Sequence, residues 1–297
     1  MSAYIHRFAM MGTVVTIEVV SDEQREREAA VERAVGWFRH VEARCNRFDP
    51  SSEIARLAHH VGAPTPVSET VFEAIQFALA VARETDGAFD PTIGLRMESR
   101  GFDRDYRSGA VVHTSLAASR RATYRDVELD ADRRTVTLHE PLLLDLGAVA
   151  KGLAVDMAAR ELAAFENFAI DAGGDLYVAG HNAAGVPWSV GIRHPRLPDA
   201  LIETLHVSNV AVCTSGDYER RARGEHHILD PRSDEPAALA ASVSVVAPLA
   251  MVADALATAA FVLGPDRGLA LLERHGVQGL IVTPALERHE TQDFRLY

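Results

Sequence analysis

The stretch LLLDLGAVAKGLAVDMAARELA, Leu142 to Ala163, decides how this chain is read. Leu142-Leu143-Leu144 reads as the end of a buried strand. Asp145-Leu146-Gly147 turns the chain, and an alanine-rich helical pattern runs from about Ala148 to Ala164. Short strands lie on both sides: TVTLH before it, then NFAID, DLYVAG, WSVGI, ETLHV, AVCTS, HHILD and ASVSVVA after it. Further strands are expected at Thr13–Val20 and at GLIVT near the end of the chain. Helices are expected over about Glu23–Arg44, Ser68–Glu84, Ala250–Val262 and Arg267–Arg274; in the second, Val71, Phe72, Ile75, Ala78, Leu79 and Ala82 keep a 3.6-residue period. Many strands, few helices and no strict βα alternation define an α+β fold with mixed, mostly antiparallel sheets and flanking helices. The polar, aperiodic segment Met97–Ser115 reads as a surface excursion. With no repeats and no low-complexity linker, residues 1–297 read as one domain, or as two closely packed lobes.

At 297 residues, 47% hydrophobic and 24% charged, the chain has ample material for a core. A formal net charge of -12 argues against nucleic acid and against anionic membrane surfaces. A phosphate-bearing substrate would need a metal or a locally placed cation. The two cysteines, Cys45 and Cys213, stand far apart in no metal-ligand spacing, which points to a reducing compartment and away from zinc. The opening MSAYIHRFAMMGTVV has no basic segment followed by an apolar one, so a soluble, cytoplasmic protein without signal peptide is expected. Ala237–Ala253 is uncharged, but Ser242, Ser244 and Pro248 fit a strand, a turn and a helix better than a membrane span.

Lys151 falls in the first turn of its helix, against the positive end of the macrodipole, with Gly152 beside it. Two readings stand. An exposed lysine there costs a few tenths of a kcal/mol; alternatively, an anion sits at the helix start, and Gly147 and Gly152 let it approach the backbone. In ADALATAAF, Asp254 and Thr258 are four apart and project from one helical face, as hard oxygen ligands for Mg2+ or as an acid near a helix start and a back-bonded threonine. In CTSGDYERRARGEHHILDPRSDEP, turn residues follow a strand, and His226-His227 opens a short strand ending at Asp230. His227 is a candidate general base near neutral pH or a structural histidine. Asp90, in TDGAFDPTIG, and the tight glycine turn of DAGGD both read as turn chemistry. Dinucleotide, P-loop, G-x-S-x-G and H-E-x-x-H signatures are all missing, so spacing alone suggests metal-assisted phosphate chemistry.

Taken in order, MMGTVVTIEV, NRFDPSSEIARL, DGAFDPTIG, LDLGAVAKGLAVD, AGGDLYVAG, TSGDYER, HHILDPR and ADALATAAFVLG resemble the ApbE-type FAD:protein FMN transferases, from Met10 to Gly264. The resemblance implies a tunnelling-type α+β architecture, bound FAD and Mg2+-dependent transfer of FMN to a Thr or Ser hydroxyl of an acceptor protein, with AMP released. It implies that Asp145 and Lys151 contact FAD, and that the Ala148 carbonyl, Asp254 and Thr258 hold the metal. Met11, Phe48, Ala88, Phe89, Asp90 and Ile228 match flavin- or adenine-contacting positions, and His227 matches a base for the acceptor hydroxyl. A Mg2+-dependent FAD pyrophosphatase and a non-catalytic FAD-binding or assembly protein are the alternatives. Two departures from the family pattern stand out: Asp234 takes a glycine place in DPRSDEP, and Arg100 takes a tryptophan place in RGFDRDY. Many relatives are exported lipoproteins; with no export signal here, an acceptor that is cytoplasmic or has a cytoplasmic face, bearing an S/T-G-A-T-like segment, is expected. The chain's own SGAV, Ser108–Val111, lacks the final hydroxyl.

Overall fold

A computed structural model describes residues 2–116 and 122–296. In chain order the elements are β1 (Ala3–Met10), β2 (Thr13–Val20), α1 (Gln24–Cys45), α2 (Glu53–Leu57), β3 (Thr65–Pro66), α3 (Glu69–Glu84) and α4 (Gly94–Ser99). Then come β4 (Val127–Asp130), β5 (Thr135–Leu138), α5 (Gly147–Leu162), β6 (Phe168–Ala172), β7 (Asp175–Ala179), β8 (Trp188–Arg193), β9 (Leu201–Val207) and β10 (Val210–Gly216). The two-residue strands β11 (Arg221–Ala222), β12 (Glu225–His226), β13 (Leu229–Asp230) and β14 (Glu235–Pro236) precede β15 (Ser242–Ala247), α6 (Ala250–Arg274), β16 (Gln278–Val282) and β17 (Arg288–Glu290).

Eight strands form the main sheet in the order β1-β2-β6-β7-β10-β15-β16-β17, and every pairing within it is antiparallel. Alternation along the strands sorts side chains onto two faces. Val15, Ile17 and Val19 of β2, Ala211 and Cys213 of β10, and Val243 and Val245 of β15 join one core with the helices. Val20, Val212 and Val246 face the other way, against the β8–β9 hairpin and its Trp188, Val190 and Ile192. The α1 helix buries Ala30, Val31, Ala34, Val35, Phe38 and Val41 at helical spacing, mainly against α5. Ser68, expected as the first residue of α3, is instead its cap, accepting from the Val71 N–H at 3.4 Å.

The expected mostly antiparallel α+β fold is the observed one, with local differences. Leu142, Leu143 and Leu144 are buried, but only Leu143 makes a bridge, a parallel one with Ile93. The Gly94 N–H donates to Leu143 O at 3.0 Å and the Asp145 N–H to Pro91 O at 2.7 Å. Pro91 has no N–H to continue a ladder, so the segment stays irregular. Met97–Ser115 is not wholly a surface excursion: it starts inside α4, and Met97, Glu98 and Asp103 are buried. HHILD breaks into β12 and β13 rather than forming one strand. The two expected C-terminal helices are the two halves of α6, separated where Gly264 takes φ 75° and ψ -178° ahead of Pro265. By length and composition α6 alone, among the described residues, is apolar enough to cross a membrane; here it packs against α5, β10 and β15. β1 is an edge strand of mixed sequence, AYIHRFAM, whose alternating Tyr4, Phe8 and Met10 pack against the core.

Candidate functional site

Helices α5 and α6 bring most of the candidate residues together, and the contact between them explains Gly152. A Cβ there would lie 2.5 Å from the Ala250 carbonyl oxygen and 2.6 Å from Met251 Cα. Gly152 therefore serves the close approach of the α6 N-terminus rather than the approach of a ligand, as expected from sequence. One turn further along α5, buried Asp156 accepts the Ala250 N–H at 2.7 Å and the Met251 N–H at 2.9 Å. No side chain of its own caps α6, so Asp156 satisfies two of its free N–H groups from across the helix pair. Burial pushes the Asp156 carboxyl up to about 6, against the pull of those two N–H groups.

Lys151 projects from α5 toward two carboxylates. Its ammonium is ion-paired with Asp175 and lies 3.8 Å from Asp254 Oδ2. Asp175 comes from the DAGGD turn: in phase with Tyr177 and Ala179, it faces the helices from β7. The glycine turn is structural, as expected, with Asp171 Oδ1 accepting the Gly173 and Gly174 N–H groups at 2.9 and 3.2 Å, but the acid after it belongs to the site. Asp254 is buried on α6, and its Oδ2 has no hydrogen-bond partner among the described residues. Burial holds its carboxyl above the usual range, and Lys151, the Gly152 N–H and Arg220 offset part of that rise. The Thr258 hydroxyl lies 3.1 Å from the Ser215 hydroxyl and not on the carbonyl four residues back. Ala148 has non-helical angles of φ -93° and ψ 15° inside α5, which takes its carbonyl out of the regular ladder.

These are hard oxygen donors: an orphaned buried carboxylate oxygen, a hydroxyl and a carbonyl at a kink. They suit Mg2+, which keeps several waters and uses one or two carboxylates. Among the described residues, no group of three or more His, Cys, Asp or Glu is placed to hold a metal. The oxygen-only donor set of Asp254, Thr258 and the Ala148 carbonyl favours a hard cation over a softer ion that takes nitrogen or sulfur ligands.

The second half of the site lies around the end of α1. Asp145 Oδ2 accepts from Arg47 Nε at 2.8 Å and Asp145 Oδ1 accepts the Gly147 N–H, also at 2.8 Å, at the start of α5. Burial would push this carboxyl up, but Arg47, the Gly147 N–H and Arg220 outweigh it and hold Asp145 below the usual carboxylate range. The same Arg47 guanidinium lies 4.0 Å from the Phe48 ring centroid. Met11, at φ 53° in the tight β1–β2 turn, donates its N–H to buried Glu42 at 2.7 Å. Glu42 also takes the Tyr106 hydroxyl and the Arg107 guanidinium, fastening the 97–116 segment beside that turn. A cavity of about 410 Å³ opens next to Met11 and Phe48, lined by Met10, Arg39, Glu42, Ala43, Asn46, Asp49 and Arg107.

Ala88, Phe89 and Asp90 are buried, and Asp90 spends its oxygens on Thr92 (2.9 and 2.7 Å) and the Tyr124 N–H (3.0 Å). Its side chain is thereby a loop organiser, and the loop reaches the site through Pro91 O, which holds the Asp145 N–H. Ile228 is buried in the main core. His227 Nδ1 is buried without a partner among the described residues, with Phe102 edge-on at 6.5 Å between ring centroids. Burial, reinforced by Arg220, lowers the imidazole to about 3, so His227 is neutral at neutral pH but a far weaker base than its sequence suggests.

Asp175, Asp156, Arg47, Glu42, Ser215 and Arg220 carry much of this geometry and were not singled out from the sequence. Asp156 did leave a signal, as a lone acid inside the apolar run of α5. Asp175 is readable only once the phase of β7 is known.

The fold and the site define an antiparallel α+β protein whose two packed helix starts gather an ammonium and oxygen donors. A family model described as the ApbE family matches residues 11–281. The chain belongs to the ApbE family. It is similar to the FAD:protein FMN transferase of Treponema pallidum, 34% identical over 306 residues, covering 93% of this chain and 83% of that protein. The FAD:protein FMN transferase of Haemophilus influenzae is 28% identical over 285 residues, covering 90% and 82%. The crystal structure of the ApbE protein of Thermotoga maritima matches with a TM-score of 0.88 and 32% identity over 100% of this chain and 99% of that one. The flavin transferase ApbE from Vibrio cholerae gives a TM-score of 0.86 at 25% identity over 100% and 99%.

Proposed function

We propose that this chain is a Mg2+-dependent FAD:protein FMN transferase. It moves FMN from FAD to the Thr or Ser hydroxyl of an acceptor segment of the S/T-G-A-T kind and releases AMP. Cys45 and Cys213 are both buried and free, which suits the cytoplasm as the place of reaction. The observation that carries the reading is the orphaned, buried Asp254 Oδ2 beside Thr258 on α6, faced by the Lys151 ammonium from α5. Asp254, Thr258 and the Ala148 carbonyl would hold Mg2+, which neutralises phosphate oxygens when bound.

In the reaction, the acceptor hydroxyl oxygen bonds to the phosphorus on the FMN side of the diphosphate. The bond from that phosphorus to the bridging oxygen breaks, and the bridging oxygen leaves on AMP. Lys151 places positive charge against the charge that grows on the departing phosphate. Asp175 holds the Lys151 ammonium in position. Asp145 fixes the start of α5 through Gly147, while Met11, Phe48 and the Ala88–Asp90 loop bound the flavin and adenine side with Ile228. Neutral His227 is the candidate acceptor for the hydroxyl proton, weakened by its burial.

The test incubates the full chain with FAD, Mg2+ and a peptide containing S-G-A-T, followed by mass spectrometry and AMP quantification. A peptide heavier by FMN less one water, with an equal amount of AMP, is expected. AMP beside an unmodified peptide would replace transfer by hydrolysis, and bound FAD with neither product would leave a binding protein.

A further inference from the structure

The cations at the centre of the site are already matched by carboxylates. Lys151 is paired with Asp175 and lies 3.8 Å from Asp254, and Arg47 is held by Asp145 at 2.8 Å. Before a metal binds, a diphosphate with two negative charges meets little unmatched positive charge in this set. Arg220 is a further cation to weigh. The residue sits between β10 and β11, where its neighbours are engaged: Arg196 with Asp217 at 2.7 and 2.8 Å, Arg193 with Glu219, and Arg221 with the Gly224 carbonyl at 2.9 Å. Among the described residues the exposed Arg220 guanidinium has no carboxylate within 4.0 Å and no hydrogen-bond partner, while the residue's backbone carbonyl accepts the His227 N–H at 3.1 Å.

Its guanidinium nonetheless faces the site. Nη2 lies 3.5 Å from where a Cβ of Gly12 would be, over the turn that carries Met11. Its charge acts on Asp145, on Asp254 and on His227, which belong to three different segments. We infer that Arg220 is a substrate-binding residue that takes the diphosphate of FAD, forming with Lys151 a two-cation clamp. The inference rests on the FAD reading above. A guanidinium suits the task because its planar fork meets two phosphate oxygens at once and stays charged.

The arrangement has a consequence for the base. Arg220 now weakens His227 as a proton acceptor. Matching the Arg220 charge with a diphosphate removes that part of the penalty, while burial, the larger cause, remains.

FAD affinity of the full chain, measured without Mg2+ or acceptor to prevent turnover, tests this in wild type, Arg220→Ala and Arg220→Lys at several ionic strengths. Arg220→Ala should bind FAD about ten- to a hundredfold more weakly, as expected for loss of charge-assisted hydrogen bonds. Its affinity should depend less on salt, Arg220→Lys should recover part of the loss, and the melting temperature should stay at the wild-type value. Unchanged FAD affinity in Arg220→Ala would overturn the inference while leaving the parent reading intact. So would a loss that comes with a lower melting temperature and the wild-type salt dependence. A wild-type chain that binds no FAD would overturn both.

Discussion

Replacing Gly152 by alanine sets two rules of helix energetics against each other. Gly152 lies within α5, where alanine is intrinsically favoured by about 1 kcal/mol. The new methyl would sit 2.5 Å from Ala250 O and 2.6 Å from Ala250 C and Met251 Cα. These are backbone atoms, which cannot swing aside as a flexible side chain can. The start of α6 must move, and it is tied to α5 by the Asp156 bonds of 2.7 and 2.9 Å. Forced overpacking of this kind costs about 2–3 kcal/mol. The net expectation for Gly152→Ala is a loss of about 1–2 kcal/mol, or roughly 2–5 °C in melting temperature for a chain of this size. Activity should fall further than stability, because α5 carries Ala148 and Lys151 while α6 carries Asp254 and Thr258. Thermal melting and Mg2+-dependent AMP release would be measured side by side. A variant as stable as wild type or more so, as propensity alone demands, with normal Mg2+ dependence, would refute the helix-contact account.

Asp254→Ala is expected to abolish Mg2+-dependent turnover with a far-UV spectrum like that of wild type; undiminished turnover with Mg2+ would remove Asp254 from the metal site. His227→Ala should slow transfer at saturating FAD while FAD binding changes little, and parallel losses in both would leave the histidine a structural part. Asp156 predicts a pH effect: burial raises its folded-state value to about 6, so the folded chain keeps a proton that the unfolded chain has lost between about pH 4 and 6. Its favourable contribution is complete below about pH 4 and is lost as pH rises through 6, a change of about 3 kcal/mol. Denaturant titrations at pH 4.5, 5.5 and 7 should therefore show Asp156→Asn gaining on wild type as pH rises, and a constant difference would contradict the buried charge.

The fold was legible where periodicity is strong. The apolar row of α3 and the separation of the two halves of α6 follow from local chemistry that needs no partner. Leu142–Leu144 shows the limit: burial and strand are separate properties, and the sequence reported only the first. The site was legible as residue types, and its connections were not. Lys151 beside Gly152 looked like an unfavourable pair serving one ligand. The two residues in fact do different work, Gly152 admitting a neighbouring helix and Lys151 meeting an acid from a strand 24 positions on, Asp175 (175 - 151). The imidazole of His227 is similar: the residue type suggests a base, while burial and Arg220 set its strength.

The two departures from the family pattern, Arg100 and Asp234, become one feature in three dimensions. Asp234 holds φ 61° in the turn between β13 and β14, the left-handed region that glycine enters freely and that aspartate tolerates better than most residues. The turn is thus kept without the glycine, and the Asp234 N–H donates to Asp230 O at 2.9 Å. Arg100 donates to the Asp234 carbonyl and to Glu225 Oε2, the latter at 2.7 Å, and Arg96 donates to Pro231 O at 2.8 Å. The Arg100 guanidinium, just past α4, thus braces the turn through hydrogen bonds. Reverting Arg100 alone to tryptophan would leave the Asp234 carbonyl and Glu225 without their donor. Reverting Asp234 alone to glycine would relieve a left-handed residue yet keep the main-chain carbonyl that Arg100 holds. The arginine is accordingly the member of the pair on which the hairpin after Ile228 depends.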